Sequence, residues 1–232
     1  MPDSRVSPHP SRFALRASRL IPLALAWLGY FGPWLWPVPV ALRLSGYDLV
    51  EWLTFAQSVR DGTYPITRLD MLWPLAGIAL ITALAVTGSF TGSVTSPRFL
   101  GAFAVQNWAA ILLSLFAAFL ILPGYPFILT AASDAELRPQ LVLGLTAIPT
   151  VLVVAAWAAA RPRWVPIARV AVALLSLAAT LRAYALARQP IADILTRPAP
   201  VGWGLVAAIV GFAAVIVVGS CDFSRFLAAH HD

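Results

Sequence analysis

Residues 201–221 read VGWGLVAAIVGFAAVIVVGSC, a run of 21 residues in which no side chain carries a charge. A helix needs about 20 consecutive apolar residues to cross the roughly 30 Å hydrocarbon core of a bilayer. The whole chain shares this bias, with 60% hydrophobic and 11% charged residues, whereas soluble domains carry about 25% charged residues. The run therefore predicts a membrane-spanning helix and assigns the chain to the integral membrane proteins.

Five further stretches of this kind lie upstream, so six transmembrane helices are expected. The predicted spans are Leu20–Val40, Leu72–Phe90, Phe99–Leu122, Leu141–Ala160, Val165–Ala187 and Val201–Cys221. They leave too little sequence, in pieces too small, for a separate soluble domain. We predict an all-α integral membrane protein with a basic cytoplasmic segment at 1–19, one membrane domain at 20–221 and a cytoplasmic tail at 222–232.

The first predicted span resembles a signal peptide, because four arginines precede its apolar run. The run continues from Leu20 to Leu42 without a charge, which is longer than the apolar region of a cleaved signal. It ends in the tryptophan- and proline-rich segment 32–39 instead of a small-residue cleavage site. We therefore expect the first span to be retained.

Arginine is distributed unequally between the two sides of this topology. With the N-terminus inside, the inner segments hold nine arginines against three aspartates, whereas the outer segments hold seven arginines and seven acidic residues. The formal charge of +6 then lies entirely on the inner side. Because basic residues are retained in the cytoplasm, this pattern predicts a protein of the cell inner (plasma) membrane with both termini cytoplasmic.

Composition excludes several kinds of partner and site. The pI near 10.4 would suit a nucleic-acid partner, but the arginines lie between apolar spans and form no basic stripe on a folded surface. The single Cys221 excludes an internal disulfide and a cysteine metal cluster, and the histidines lie only near the termini. We expect no nucleic acid, no cofactor, no metal and no catalytic residue.

The loop between the first two spans carries an amphipathic pattern. Ser45 and Asp48 resemble a capping box in which Asp replaces the usual Glu or Gln, and Gly62 suits a C-terminal cap. We predict an amphipathic helix at about 46–60 that lies in the outer interface, because it is too short and too polar to span. It could pack on the bundle, dock a partner or cover an outward cavity; the pattern does not separate these, and we favour packing or docking. The apolar face of this helix is the candidate outer interaction surface: Leu49, Trp52, Leu53 and Val59.

Aromatic residues concentrate on the predicted outer side, which holds all five tyrosines and at least five tryptophans. Tryptophan and tyrosine favour the headgroup region because their rings are apolar and their tips are polar. An interfacial belt therefore explains most of them, and Trp52 fits it least. The alternative is an aromatic-lined outer pocket. The belt is expected to include Trp34, Trp36, Trp73 and Trp203.

Ionisable residues are nearly absent from the spans. No Asp or Glu lies in the six apolar cores, and Arg169 and Arg182 lie near opposite ends of the fifth span, where their stems can snorkel to the interface. Buried carboxylates are the usual means of coupling transport to protons or sodium. Their absence from the sequence of the spans argues against ion-coupled transport and against acid–base chemistry within the membrane.

Small and polar residues form stripes on two of the spans. Asn107 and Ser114 share one face of the third span, and Gly204, Ala208 and Gly211 recur on the sixth. Small residues allow helix backbones to approach closely, and Asn or Ser can hydrogen-bond across such a contact. We interpret these five as candidate helix-packing residues in preference to a ligand site.

No motif with a chemical mechanism occurs in the chain. The small size, the packing faces and the patterned outer helix predict a non-enzymatic subunit or accessory component of a larger membrane complex, with protein partners or copies of itself in the bilayer. The alternative is a permease, such as the membrane component of an ATP-driven transporter. A membrane enzyme using the outer carboxylates is the third and least favoured hypothesis.

Overall fold

The computed structural model describes residues 12–36, 43–54, 56–87, 97–196, 198 and 200–228, without the side chains of 12–19, 54, 86–87 and 97–107. This part of the chain is mostly helical, with one small antiparallel sheet of two strands, β1 (Pro33–Leu35) and β2 (Leu44–Ser45). The α-helices are α1 (Arg12–Phe31), α2 (Asp48–Thr54), α3 (Gln57–Arg60), α4 (Arg68–Thr87), α5 (Pro97–Leu120), α6 (Arg138–Ala160), α7 (Val165–Leu195) and α8 (Trp203–Ala228).

Four of these helices, α4, α6, α7 and α8, are long and apolar enough to cross a bilayer. They correspond to the second, fourth, fifth and sixth predicted spans. The apolar stretches described in α1 and α5 are shorter, covering Leu20–Phe31 and Trp108–Leu120. Four candidate membrane-spanning helices are therefore established by length and composition, and the spans assigned to α1 and α5 stay predictions.

The first helix ends nine residues before the predicted limit of its span, at Phe31 instead of Val40. Gly32 and Pro33 follow it, and a residue before proline is disfavoured in the helical region, while proline itself lacks a donor N–H. The chain then pairs β1 with β2, and Leu35 forms a further bridge with Val201. An apolar run alone does not distinguish a short strand from a helix. Residues 37–40 of the predicted span lie outside the described residues.

α4 lies at the centre of the bundle. It contacts α1, α5, α6 and α7, and 67% of its apolar window is buried, compared with 22% for α6. Leu72, Ile78 and Leu84 are almost completely buried, although residues six positions apart point about 120° away from one another around a helix axis. A helix that is apolar on all sides is suited to a position surrounded by other helices.

α1 and α8 approach each other closely through small residues. A Cβ atom at Gly29 would lie 2.1 Å from the backbone nitrogen of Ala208, and one at Gly211 would lie 2.4 Å from that of Ala26. A Cβ atom at Gly204 would lie 2.3 Å from the backbone that follows α1. Close approach of this kind requires small side chains on both helices. Gly204, Ala208 and Gly211 thus face the first helix of the same chain.

The predicted amphipathic helix at 46–60 is interrupted. α2 and α3 are separated at Ala56, whose backbone is extended with φ −67° and ψ 127°. The expected capping box is present at α2: the Asp48 N–H donates to Ser45 Oγ at 3.1 Å, and the Ser45 N–H donates to Asp48 Oδ2 at 3.0 Å. Gly62 has φ +75° just beyond α3, where a C-terminal cap was predicted. The capping signals thus mark the ends of a segment that bends in its middle.

Candidate functional site

Three connecting segments meet at one end of the bundle, which we call the loop end. Their described residues are 43–54 with 56–67, 121–137, and 200–202. The Gly202 N–H donates to the Trp34 carbonyl at 2.7 Å, and the Tyr64 hydroxyl donates to the Asp193 carboxylate. This hydrogen bond raises the pKa of Tyr64 above its ordinary value, because the acceptor favours the protonated phenol. Trp34 belongs to β1, which pairs with Leu44 and Ser45, and Glu136 lies 3.3 Å from Arg68, the first residue of α4. The three segments therefore lie at one end of the bundle.

Charged residues from different segments pair at the loop end. Arg182 Nε lies 3.3 Å from Asp70 Oδ1, and Arg68 Nε lies 3.3 Å from Glu136 Oε1. Arg68 Nη1 also approaches Gln140 Oε1 at 3.5 Å. Two of the arginines assigned to this side thus pair with carboxylates of other segments, and these pairs connect α4 to the segment before α6 and to α7.

Asp70 has two roles in this network. Its Oδ2 accepts hydrogen bonds from the backbone N–H and the hydroxyl of Thr67, at 2.9 and 2.8 Å, as the third helical residue of a capping box does at the beginning of a helix. Its Oδ1 faces Arg182, whose side chain is 71% exposed. An exposed ion pair contributes only about 0–1 kcal/mol. Asp70 therefore acts mainly by holding Thr67 at the beginning of the central helix.

A cavity of about 370 Å³ lies beside this network, between α3, the beginning of α4 and the segment that leads into α6. Its volume lies in the range of about 300–1,000 Å³ that is usual for small-molecule sites. The lining combines an apolar wall with two cations and one carboxylate. These residues include Val59, Ile66, Leu69, Arg60, Arg68 and Glu136.

Two aromatic residues near the loop end are buried inside the protein. Trp34 and Tyr30 are fully buried, with their rings edge-on at 6.0 Å. Trp34 Nε1 donates to the Gly29 carbonyl, and the Tyr30 hydroxyl donates to the Met71 carbonyl, each at 3.0 Å. The belt prediction is therefore wrong for Trp34, whose polar atom finds its partner inside the protein. The other three belt residues are exposed: Trp36, Trp73 and Trp203.

The opposite end of the bundle contains a buried cation. Arg169 of α7 is 5% exposed, and its Nη2 donates to the Leu84 carbonyl of α4 at 3.1 Å. Its Nη1 lies 4.0 Å from Asp222 Oδ2 of α8. The prediction that Arg169 snorkels to the interface is wrong, because the neighbouring helices supply its acceptors. The guanidinium thus joins three helices at this end.

Buried hydroxyl groups are satisfied largely within their own helices. Ser114, Ser176 and Thr180 donate to the carbonyl four residues earlier at 2.9, 2.7 and 2.8 Å. Thr82 does the same at 2.7 Å and also accepts a hydrogen bond from Trp27 Nε1 at 3.1 Å. Ser114 therefore lies buried at a helix contact, with its hydroxyl donating within α5 and not across the contact.

The predicted outer interaction surface faces the chain itself. Leu49 and Leu53 are buried in the core, and Trp52 and Val59 are partly buried against it. α2 contacts α4 and α7 in this way, so a partner at this segment would meet the opposite side of α2. The side chain of Asn107, the remaining predicted packing residue, lies outside the described residues.

The pairing of Arg68 with Glu136 and of Asp70 with Arg182 does not follow from the sequence. One signal was available, because the spacing of Thr67 and Asp70 is that of a helix cap and marks where α4 begins. No local pattern indicates which charged residue of another loop lies opposite. The partners can therefore be identified only from the fold.

Within the ranges that the structure describes, no group of three or more His, Cys, Asp and Glu side chains is arranged to hold a metal ion. Comparison of the chain with protein-family models, with curated proteins and with solved structures finds no match.

Proposed function

We propose that this chain is a non-enzymatic multi-pass protein of the cell inner membrane, an integral subunit or accessory component of a larger membrane complex. In this proposal both termini lie in the cytoplasm and the loop end faces outward. The observation that carries the proposal is the exposed face of α6, and the placement of polar groups inside the bundle supports it.

α6 exposes a stripe of valine and threonine residues. Val142, Thr146, Thr150 and Val153 recur at intervals of three or four residues, and all are exposed. The two threonine hydroxyls donate to carbonyls of α6 itself, at distances between 2.7 and 3.0 Å. Because their polar atoms are satisfied and their side chains are short, threonines permit close contact between helices in a membrane. We assign this face to a transmembrane helix of a partner subunit.

The interior of the bundle supports an assembly role over a permease. Among the described residues of α4, α5 and α7, the buried serine and threonine hydroxyls donate to carbonyls of their own helices, and the ion pairs described above lie at the two ends of the bundle. A transport path would require polar groups directed toward a solute near the middle of the membrane. The alternative is a permease, such as the membrane component of an ATP-driven transporter. A permease and a subunit differ in whether the chain acts alone or in a complex.

Thr150→Trp is expected to release the partner. The unaltered chain, purified in mild detergent, should migrate as a complex well above 24.9 kDa, and the bulky ring should prevent helix contact at the α6 stripe. Size-exclusion chromatography with light scattering would measure the protein mass of each variant. Leu175→Trp is the matched control, because Leu175 of α7 is 72% exposed and lies outside the stripe.

Two results would contradict the subunit proposal. One is a monomeric unaltered chain that transports a solute when it is reconstituted alone into liposomes, which would favour the permease. The other is an equal loss of the complex in the Thr150 and Leu175 variants, which would show that the α6 stripe has no special role.

The orientation can be tested with the native thiol. Cys221 is exposed and lies in α8, toward the end opposite the loops, and Ser133 is exposed at the loop end. On intact cells, an impermeant maleimide should label Ser133→Cys in a Cys221→Ser background and should leave the unaltered protein unlabelled. Both should react after permeabilisation. Labelling of Cys221 alone on intact cells would reverse the proposed orientation.

A further inference from the structure

The loop-end cavity opens where two apolar helices begin. Arg68 is the first residue of α4, and Pro139 is the second residue of α6, and both residues line the cavity. Both helices are long and apolar enough to span a bilayer. The boundary between a span and its loop lies at the level of the lipid headgroups. The cavity therefore lies where the polar part of a phospholipid is found, on whichever side of the membrane the loop end faces.

The cationic side of the cavity carries one surplus positive charge. Arg68 and Arg60 line it together with Glu136, and the carboxylate of Glu136 already pairs with Arg68 at 3.3 Å. Arg60 is exposed and makes no ion pair with the described part of the chain. Arg68 is held by Glu136 and by Gln140, and its side chain is 13% exposed. One guanidinium is thus fixed in place, and the other can move toward a ligand.

The remaining wall is apolar. Val59, Ile66, Leu69 and Pro139 supply it, and Leu69 lies beside the fixed Arg68 at the beginning of α4. A ligand that satisfies both sides carries an anionic oxygen group joined to an apolar body. Guanidinium groups bind phosphate oxygens in a planar, two-pronged arrangement, which makes arginine the usual residue for this contact.

We propose that the cavity binds the phosphate of an anionic phospholipid. Arg60 and Arg68 contact the phosphate oxygens, and the glycerol and the first methylene groups rest against the apolar wall. A volume of about 370 Å³ accommodates this part of the lipid, and the acyl chains stay in the bilayer beside α4 and α6. This inference is independent of the proposed assembly role.

The test compares two lipids with identical acyl chains, phosphatidylglycerol and phosphatidylcholine, added to the delipidated full-length protein and quantified by native mass spectrometry. Phosphatidylglycerol should bind more tightly. Arg60→Gln should weaken its binding about tenfold, the change expected on loss of one charge-assisted hydrogen bond. Arg60→Lys should restore part of the affinity. Arg188→Gln is the matched control, because Arg188 is an exposed arginine of α7 that does not line the cavity.

Equal affinity for the two lipids, or equal affinity of the Arg60→Gln and Arg188→Gln variants, would overturn the proposal. A third probe, glycerol phosphate, separates a lipid from a soluble phosphate source. If it binds as tightly as phosphatidylglycerol, the lipid assignment is wrong and the cavity is a site for a soluble phosphate compound. Thermal melting, monitored by tryptophan fluorescence, would test whether each variant is folded.

Discussion

Gly211→Leu is expected to disrupt the bundle, lowering the free energy of unfolding by at least about 3 kcal/mol, the upper part of the range for overpacked sites. A Cβ atom at Gly211 would lie 2.4 Å from the backbone nitrogen of Ala26 and 2.8 Å from its Cα. These are backbone atoms of α1, so no side-chain rotation can relieve the overlap. Thermal melting of the purified protein, followed by tryptophan fluorescence, would measure the loss.

Gly124→Leu is the matched control for this substitution. Gly124 lies in the loop after α5, is exposed, and has no atom within 4 Å of a Cβ built upon it. The Gly124→Leu variant should have a melting temperature close to that of the unaltered protein. If both leucine variants melted alike, the close contact between α1 and α8 would not exist as described. A normal melt with loss only of a higher-order complex would instead place Gly211 at a contact between subunits.

Arg169→Met is expected to cost about 3–5 kcal/mol of stability, the range for breaking a buried ion pair by removing one partner. The substitution preserves much of the side-chain volume but removes the donor to the Leu84 carbonyl and the cation beside Asp222. The Asp222 side chain is itself only 12% exposed, so its charge would stay poorly solvated. Chemical denaturation of the purified protein in detergent would give the difference.

Arg182→Met provides the comparison on the same helix. It breaks the ion pair with Asp70, but the Arg182 side chain is 71% exposed, so a change of about 0–1 kcal/mol is expected. The two variants differ in burial and not in the chemistry of the substitution. Equal destabilisation would show that Arg169 is solvated in the folded protein and that its contacts with α4 and α8 contribute little.

Large losses of stability in the Gly211 and Arg169 variants would show that contacts between distant parts of the chain stabilise the protein. α8 meets α1 at Gly211, and Arg169 of α7 links α8 to α4. Lipid offers no hydrophobic driving force that brings helices together, so close packing and buried polar contacts must supply it. Loss of either contact is therefore expected to loosen α8 from the rest of the bundle.

The placement of the candidate site followed from the sequence only in part. The segment 43–67 was expected to carry its own helical structure, and the Ser45–Asp48 capping box and the turn at Gly62 were located by their spacing. The break at Ala56 was not expected, because the apolar pattern continues through it. The inward orientation of Leu49 and Leu53 depends on α4 and α7, which an isolated amphipathic pattern does not specify.

What the sequence by itself determined is the class of the protein. Long uncharged runs such as 201–221 specify helices because a bilayer leaves backbone groups no other partner, and this physical constraint acts on each segment separately. Tertiary structure alone decided which helix is central, where the run after Phe31 changes to a strand, and which charges meet. Arg169 shows the reason: its sequence position near a helix end suited an exposed side chain, but α4 and α8 bury it by supplying acceptors from more than 50 residues away. Contacts of that separation follow from packing and carry no signal in any local pattern.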